Sequence, residues 1–187
     1  MNWTDDRGVS LIELVLVMVL VGIVIGIAVP SIRPERFKLD AAAIHVVTML
    51  NAQQRAAVLR QHNVVLAFDT VEGLIRVHYD EDNDNTIDSN ENWHVVELED
   101  AVTYGLGGAD PRPMSALSVS LTEEQDDLPS LTFRINGSAS EEGIIYVTSI
   151  RSIAETSGVD TRAIEIDRAT GRTRCYSYQS AMWVEGC

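Results

Sequence analysis

Residues 9 to 29, VSLIELVLVMVLVGIVIGIAV, hold one charge in twenty-one positions, the carboxylate of Glu13. As a helix rising about 1.5 Å per residue, such a run is long enough to cross a hydrocarbon core of roughly 30 Å. It is expected to be a membrane anchor, preceded by a short polar leader ending in Arg7-Gly8 and followed by Pro30. A secretory signal would carry a basic n-region, a shorter apolar core and a small-residue cleavage site after that core. Here the plausible processing point lies before it.

A carboxylate within a bilayer costs a few kcal/mol on insertion scales, so one kept there has a partner and a role. Cleavage after Gly8 would place a new amine on Val9, and Glu13 of one subunit would neutralise the amine of a neighbour. That arrangement implies assembly. Gly22 and Gly26 form a GxxxG pair, a spacing that lets apolar helices approach closely.

Gly8-Val9-Ser10-Leu11-Ile12-Glu13-Leu14, with Pro30 further on, resembles the class III leader of type IV prepilins and type II secretion pseudopilins. The resemblance implies that a prepilin peptidase cuts after Gly8, that Val9 becomes the N-methylated terminus, and that Glu13 is the assembly carboxylate. The family usually has Phe where this chain has Val9. The implied organisation is a leader over 1–8, a transmembrane and assembly helix over 9–29, an amphipathic continuation over 30–62 and a β-rich head over 63–187.

After the anchor, Pro30 and Pro34 interrupt the helix, and Arg33, Arg36 and Lys38 cluster behind them. A helical period resumes from Phe37 to about Gln61. Its apolar stripe is expected through Ile44, Val47, Met49 or Leu50, and Val58, packed on the domain that follows. Short β-branched or alternating runs then predict strands at Val64 to Phe68, Leu74 to Tyr79, His94 to Leu98, Leu117 to Leu121, Leu131 to Ile135, Ile144 to Ile150 and Ala163 to Asp167. The polar segments 107–115 and 123–129 read as surface loops. The expected fold is α+β and pilin-like, one long N-terminal helix on an antiparallel sheet, in a single head domain.

The order of these pieces, with Asn136-Gly137-Ser138 before the strand Ile144 to Val147 and Ala169-Thr170-Gly171-Arg172 after a late strand, resembles the GspH/FimT family of minor pilins and pseudopilins. That resemblance implies a minor subunit near the tip of a type IV pilus or a type II secretion pseudopilus, with other pilins as partners. It also implies a precursor in the bacterial inner membrane, spanning once, its head in the periplasm. There the two cysteines, Cys175 and Cys187, are expected to form a disulfide. Closing so short a loop contributes about 3 kcal/mol in the chain-entropy model.

Two further segments carry chemistry. Asp80, Asp82 and Asp84, the backbone carbonyl of Thr86, Asp88 and Glu91 reproduce the 1-3-5-7-9-12 spacing of a calcium loop. Asn85 stands at the sixth position, where that loop normally has Gly for its sharp turn, and asparagine tolerates the left-handed conformation next best. A bound Ca2+ would relieve repulsion among the acids; the alternative is a solvated acidic loop that binds nothing tightly. His78 and His94 bracket this run in strand-like alternation and read as packed or surface histidines.

The second segment is Gly171-Arg172-Thr173-Arg174. In an extended chain, Arg172 and Arg174 project to one face and would straddle adjacent phosphates, with Tyr176 and Tyr178 on the same parity for base stacking. The segment looks like the GRxR motif that contacts DNA in uptake members of the family. Its other reading is hairpin-turn chemistry, and the formal net charge of −14 opposes nucleic-acid binding in general. No nucleophile motif or phosphate-cradling glycine loop is present, so the chain does not read as an enzyme. Three functions remain: an assembling minor pilin or pseudopilin, a DNA-binding minor pilin for transformation, and a membrane-anchored calcium-binding domain that never assembles.

Overall fold

The computed structural model describes residues 10–28, 34–88, 90–113 and 115–187. The chain divides into two compact units, Met1–Pro34 and Glu35–Cys187. In the first, helix α1 covers Leu11–Ala28, with Glu13 in its first turn. Eighteen residues rise about 27 Å, just short of a roughly 30 Å hydrocarbon core. Among the described residues no helix is long and apolar enough to cross a membrane. Gly8, Val9, Val29 and Pro30 lie outside the described residues.

Helix α2, Pro34–Arg60, opens on a proline, whose fixed φ and missing N–H suit a first helical position. It ends where Gln61 turns left-handed at φ 59 and its side-chain amide donates to Val58 O at 2.7 Å. The buried stripe runs through Leu39, Ala42, Ala43, Val46, Met49, Leu50, Gln53 and Ala57. The expected stripe was rotated from this one. Leu50 and Met49 are buried and Val47 packs at the edge, but Ile44 is 52% and Val58 40% exposed. The alanines explain the difference: with no bulk beyond Cβ they bring the helix axis close to the sheets, and larger residues flanking them are turned outward.

Among the described residues the rest of the second unit forms ten strands, β1 Asn63–Asp69, β2 Leu74–Asp80, β3 Asn92–Glu97, β4 Val102–Tyr104, β5 Glu123–Gln125, β6 Leu128–Phe133, β7 Gly143–Ser149, β8 Thr161–Ile166, β9 Thr173–Gln179 and β10 Met182–Glu185, with the short helix α3, Ile150–Glu155. They form two five-stranded sheets, ordered β3-β2-β1-β6-β5 and β10-β9-β8-β7-β4, and every pairing is antiparallel. Val64, Leu66 and Phe68 of β1, Leu131 and Phe133 of β6, Ile145 and Val147 of β7, and Ile164 and Ile166 of β8 share one core with the α2 stripe. The α+β class and the helix on antiparallel strands are as expected, with two sheets in place of one.

Segment 123–129, expected as a loop, is instead the β5–β6 hairpin. Its Asp126 and Asp127 both sit at positive φ, 53° and 61°, the conformation of a two-residue hairpin turn. Leu117 to Leu121, expected as a strand, makes only a bridge from Val119 to Ile145. Strands β9 and β10 join through Ser180 and Ala181, again both at positive φ, and the Cys175–Cys187 disulfide ties the end of the chain back to β9.

One ion pair fastens α2 to the second sheet. Arg162 of β8 is 2% exposed and donates through Nε and Nη2 to Asp40 Oδ1, at 2.9 and 2.5 Å, while its Nη1 donates to Thr161 O at 2.9 Å. Removing one partner of a buried pair strands the other charge. Asp40→Ala is therefore expected to destabilise the fold by about 2–4 kcal/mol, moderated because Asp40 is a third exposed. Chemical denaturation would measure this, and Asp40→Ala combined with Arg162→Met should recover much of the loss.

Candidate functional site

The acidic loop leaves β2 at Asp80, which is fully buried, and returns to β3 at Asn92. Asn85 adopts φ 67, the left-handed turn expected of it, and Asn83 does the same at φ 63. The chain then curls around Asp80: its Oδ1 accepts from Asp84 N at 3.1 Å and its Oδ2 from Asn85 N at 2.8 Å. Asp82 Oδ1 also accepts from Asp84 N, at 3.2 Å. Ligand oxygens of Asp80, Asp82 and Asp84 consequently lie within 4.8 Å of one another, a cluster able to hold a metal ion. The Thr86 hydroxyl and amide both donate to Asp84 Oδ1, at 2.6 and 2.8 Å, and hold its carboxyl below the usual range.

Asp88 and Glu91 are outside that cluster. Glu91 closes the loop by hydrogen bonding instead, accepting from Glu81 N at 2.9 Å and from Asp88 N at 3.1 Å. Three of the six expected ligand positions are thus brought together. Asn63, whose role the sequence did not reveal, anchors the whole turn. Its N donates to Asn83 Oδ1 at 2.7 Å, its Nδ2 to Asn85 Oδ1 at 3.1 Å, and its Oδ1 accepts from Ile135 N at 3.2 Å.

Arg172 and Arg174 do lie together, bordering a cavity of about 110 Å³, but Glu142, Glu165 and Asp167 line the same cavity. Glu165 stands opposite Arg174 in the β8–β9 register. These carboxylates interrupt the uncompensated positive field that phosphate contacts rely on. Of the tyrosines expected beside the arginines, Tyr176 does bond Arg174, but both rings are buried. Arg112 lies over the Tyr176 ring at 3.8 Å from its centroid, and Tyr178 donates to Asp110 Oδ2 at 2.7 Å while packing against Trp183. The segment around Asp110 to Arg112 folds over this face, so neither ring is open for base stacking.

The turns at Asn136-Gly137-Ser138 and Ala169-Thr170-Gly171-Arg172 meet on α2. Gln54 Nε2 donates to Gly137 O at 2.8 Å and to Thr170 O at 2.6 Å. Gly171 sits at φ 62, and a Cβ there would fall 2.6 Å from that Gln54 nitrogen and still closer to Gly137 O. Both conformation and space require glycine. Gly171→Ala is expected to cost at least about 1–3 kcal/mol from its strained φ. The loss should appear as a lowered denaturation midpoint, together with faster hydrogen exchange at residues 136–138 and 169–172.

Residues 3–29 match the family described as the prokaryotic N-terminal methylation motif. The pilin-like protein PilA1 of Thermus thermophilus is 30% identical over 131 residues, covering 62% of this chain and 83% of that protein. The minor pseudopilin EpsH from the type 2 secretion system of Vibrio cholerae shares the fold at 9% identity, with a TM-score of 0.50 over 75% of this chain and 97% of that one. With that N-terminal motif and a pilin-like relative matched over most of its own length, the chain belongs to the family of pilin-like proteins.

Proposed function

We propose that this chain is made as a single-pass inner-membrane precursor, cut by a prepilin peptidase between Gly8 and Val9, and incorporated near the tip of a type IV pilus or type II secretion pseudopilus. The observation that carries this reading is the methylation motif over residues 3–29. The 30% identity to a pilin-like protein over most of that protein's length supports it. Were the whole apolar run 9–29 helical, it would rise about 31 Å, enough to hold the precursor in the membrane. The mature helix then leaves the bilayer for a bundle of neighbouring pilin helices, and Glu13 keeps its charge paired with a neighbour's terminal amine during the transfer. The head, 63–187, faces the periplasm.

Co-expression with a prepilin peptidase should yield a chain beginning at Val9 by mass spectrometry. Glu13→Ala should be cut as the parent is but recovered in sheared filaments at a small fraction of the parent's level. Normal recovery of that variant would remove Glu13 from the assembly step, and failure of the peptidase to cut would favour an anchored domain that never assembles.

In the same reading, Asp80, Asp82 and Asp84 hold Ca2+ and order the connection between β2 and β3. Calcium should raise the melting temperature of the full chain by several degrees, since binding to the folded state alone stabilises it by mass action. The rise should vanish on chelation and in the double variant Asp82→Ala, Asp84→Ala, and magnesium should reproduce little of it.

A further inference from the structure

The outer face of the β3-β2-β1 sheet carries a second, unexplained group of side chains. Leu74, Arg76 and His78 point outward from β2, with Trp93 and Val95 beside them on β3. Ile87 and Asp88 of the acidic loop form one side and Asp126 of the β5–β6 turn another, bordering an open cleft of about 590 Å³. That volume lies in the range of small-molecule clefts, roughly 300–1,000 Å³.

His78 is the anomaly. It is 6% exposed, yet among the described residues neither ring nitrogen has a hydrogen-bond partner. A neutral imidazole offers one donor and one acceptor. A buried polar group left unpaired is costly, and such groups in a folded chain call for a partner. Trp93 stacks on this ring, centroids 5.7 Å apart and planes 14° from parallel, while remaining 57% exposed. An exposed indole beside a buried, unpartnered imidazole makes a poor surface and a good platform.

The lining narrows the ligand. An anion meets Asp88 and Asp126, and the guanidinium of Arg76 is already engaged with Asp69 Oδ2 at 3.2 Å. A purely apolar ligand leaves both His78 nitrogens unpaired and desolvates two carboxylates. A bare metal ion is better served by the acids converging at Asp80, Asp82 and Asp84. What fits is a neutral molecule with one apolar face and a rim of hydroxyls. We infer that this cleft is a saccharide-binding site, in which the C–H face of a pyranose ring stacks on Trp93 and its hydroxyls bond His78, Asp88 and Asp126.

The cleft shares a wall with the acidic loop, so every titration is run at one fixed calcium concentration, and the test does not depend on filament assembly. The full chain, solubilised in octaethylene glycol dodecyl ether so that no sugar headgroup competes, is titrated with the methyl glycosides of glucose, galactose, mannose and N-acetylglucosamine. The signals followed are the indole N–H of Trp93 and the imidazole of His78 by NMR. At least one glycoside should shift both signals saturably in the millimolar range. Trp93→Ala should weaken the His78 response about tenfold, and Asp126→Asn, an exposed position where asparagine also tolerates positive φ, should weaken it with the fold intact by circular dichroism. Absence of a saturable shift with every glycoside overturns the proposal. So does binding unchanged in both variants, and so does equal displacement by tetramethylammonium, which would make the cleft a cation site.

Discussion

Two five-stranded sheets with little in common need a shared surface, and the flat apolar stripe of α2 provides it. Leu39, Val46 and Leu50 fill the core while Ala42, Ala43 and Ala57 keep the helix close to the strands beneath. Burial of this stripe is non-directional and would tolerate sliding or rotation of the helix. Directional contacts remove that freedom. Arg162 reaches from β8 to Asp40, Gln54 binds two turns at once, and Tyr79 of β2 donates to Gln53 Oε1 at 3.3 Å. The polar contacts are spaced along the helix at 40, 53 and 54, so they set both its rotation and its position along the axis. Hydrophobic area supplies the stability and a few charge-assisted or backbone-directed bonds supply the register.

Where the sequence was legible, the local rule and the tertiary environment agreed. The apolar run, the glutamate near its start and the glycine before it form a pattern that depends on no distant residue. The β1 and β2 runs were legible because β-branched residues alternate with turn residues around Gly73. The helix phase was not, because Ile44 and Val58 outweigh alanine on any hydrophobic count, whereas the packing preferred the small residues. The β5–β6 and β9–β10 hairpins were hidden for another reason. Their turns place Asp126-Asp127 and Ser180-Ala181 at positive φ, where Asn-Gly is the usual signal, and the strain is carried by the strands on either side.

The acidic loop shows how much of a site can be built before any ligand arrives. Clustered carboxylates repel each other in an otherwise acidic chain, yet here backbone amides of Asp84, Asn85 and Thr86 point at them. Gln125 Nε2 adds a bond to Asn85 O at 2.9 Å, so the β5–β6 hairpin steadies the same turn from outside. Glu91, read from its spacing as a ligand, spends both oxygens on backbone amides. The spacing that reads as a calcium loop therefore also encodes a hydrogen-bonded one. Only the three aspartates nearest the start of the loop are gathered by the turn itself.

The glycine-arginine turn poses the same ambiguity, and here the geometry separates its two halves. Gly171 is required by the docking of two turns against Gln54 and Gly137 by its φ of 83°, demands of the fold that hold whether or not anything binds. Arg172 is exposed, and what surrounds it and Arg174 is acidic. The glycine is thus needed for helix and turns to meet, whatever the charge beside it. The presence of the four-residue pattern speaks to architecture through its first position and to nucleic acid only through its second and fourth. In this protein the architectural position is satisfied in full, and the arginines are offset by Glu142, Glu165 and Asp167. That places the weight of the motif on holding two turns of the fold against α2.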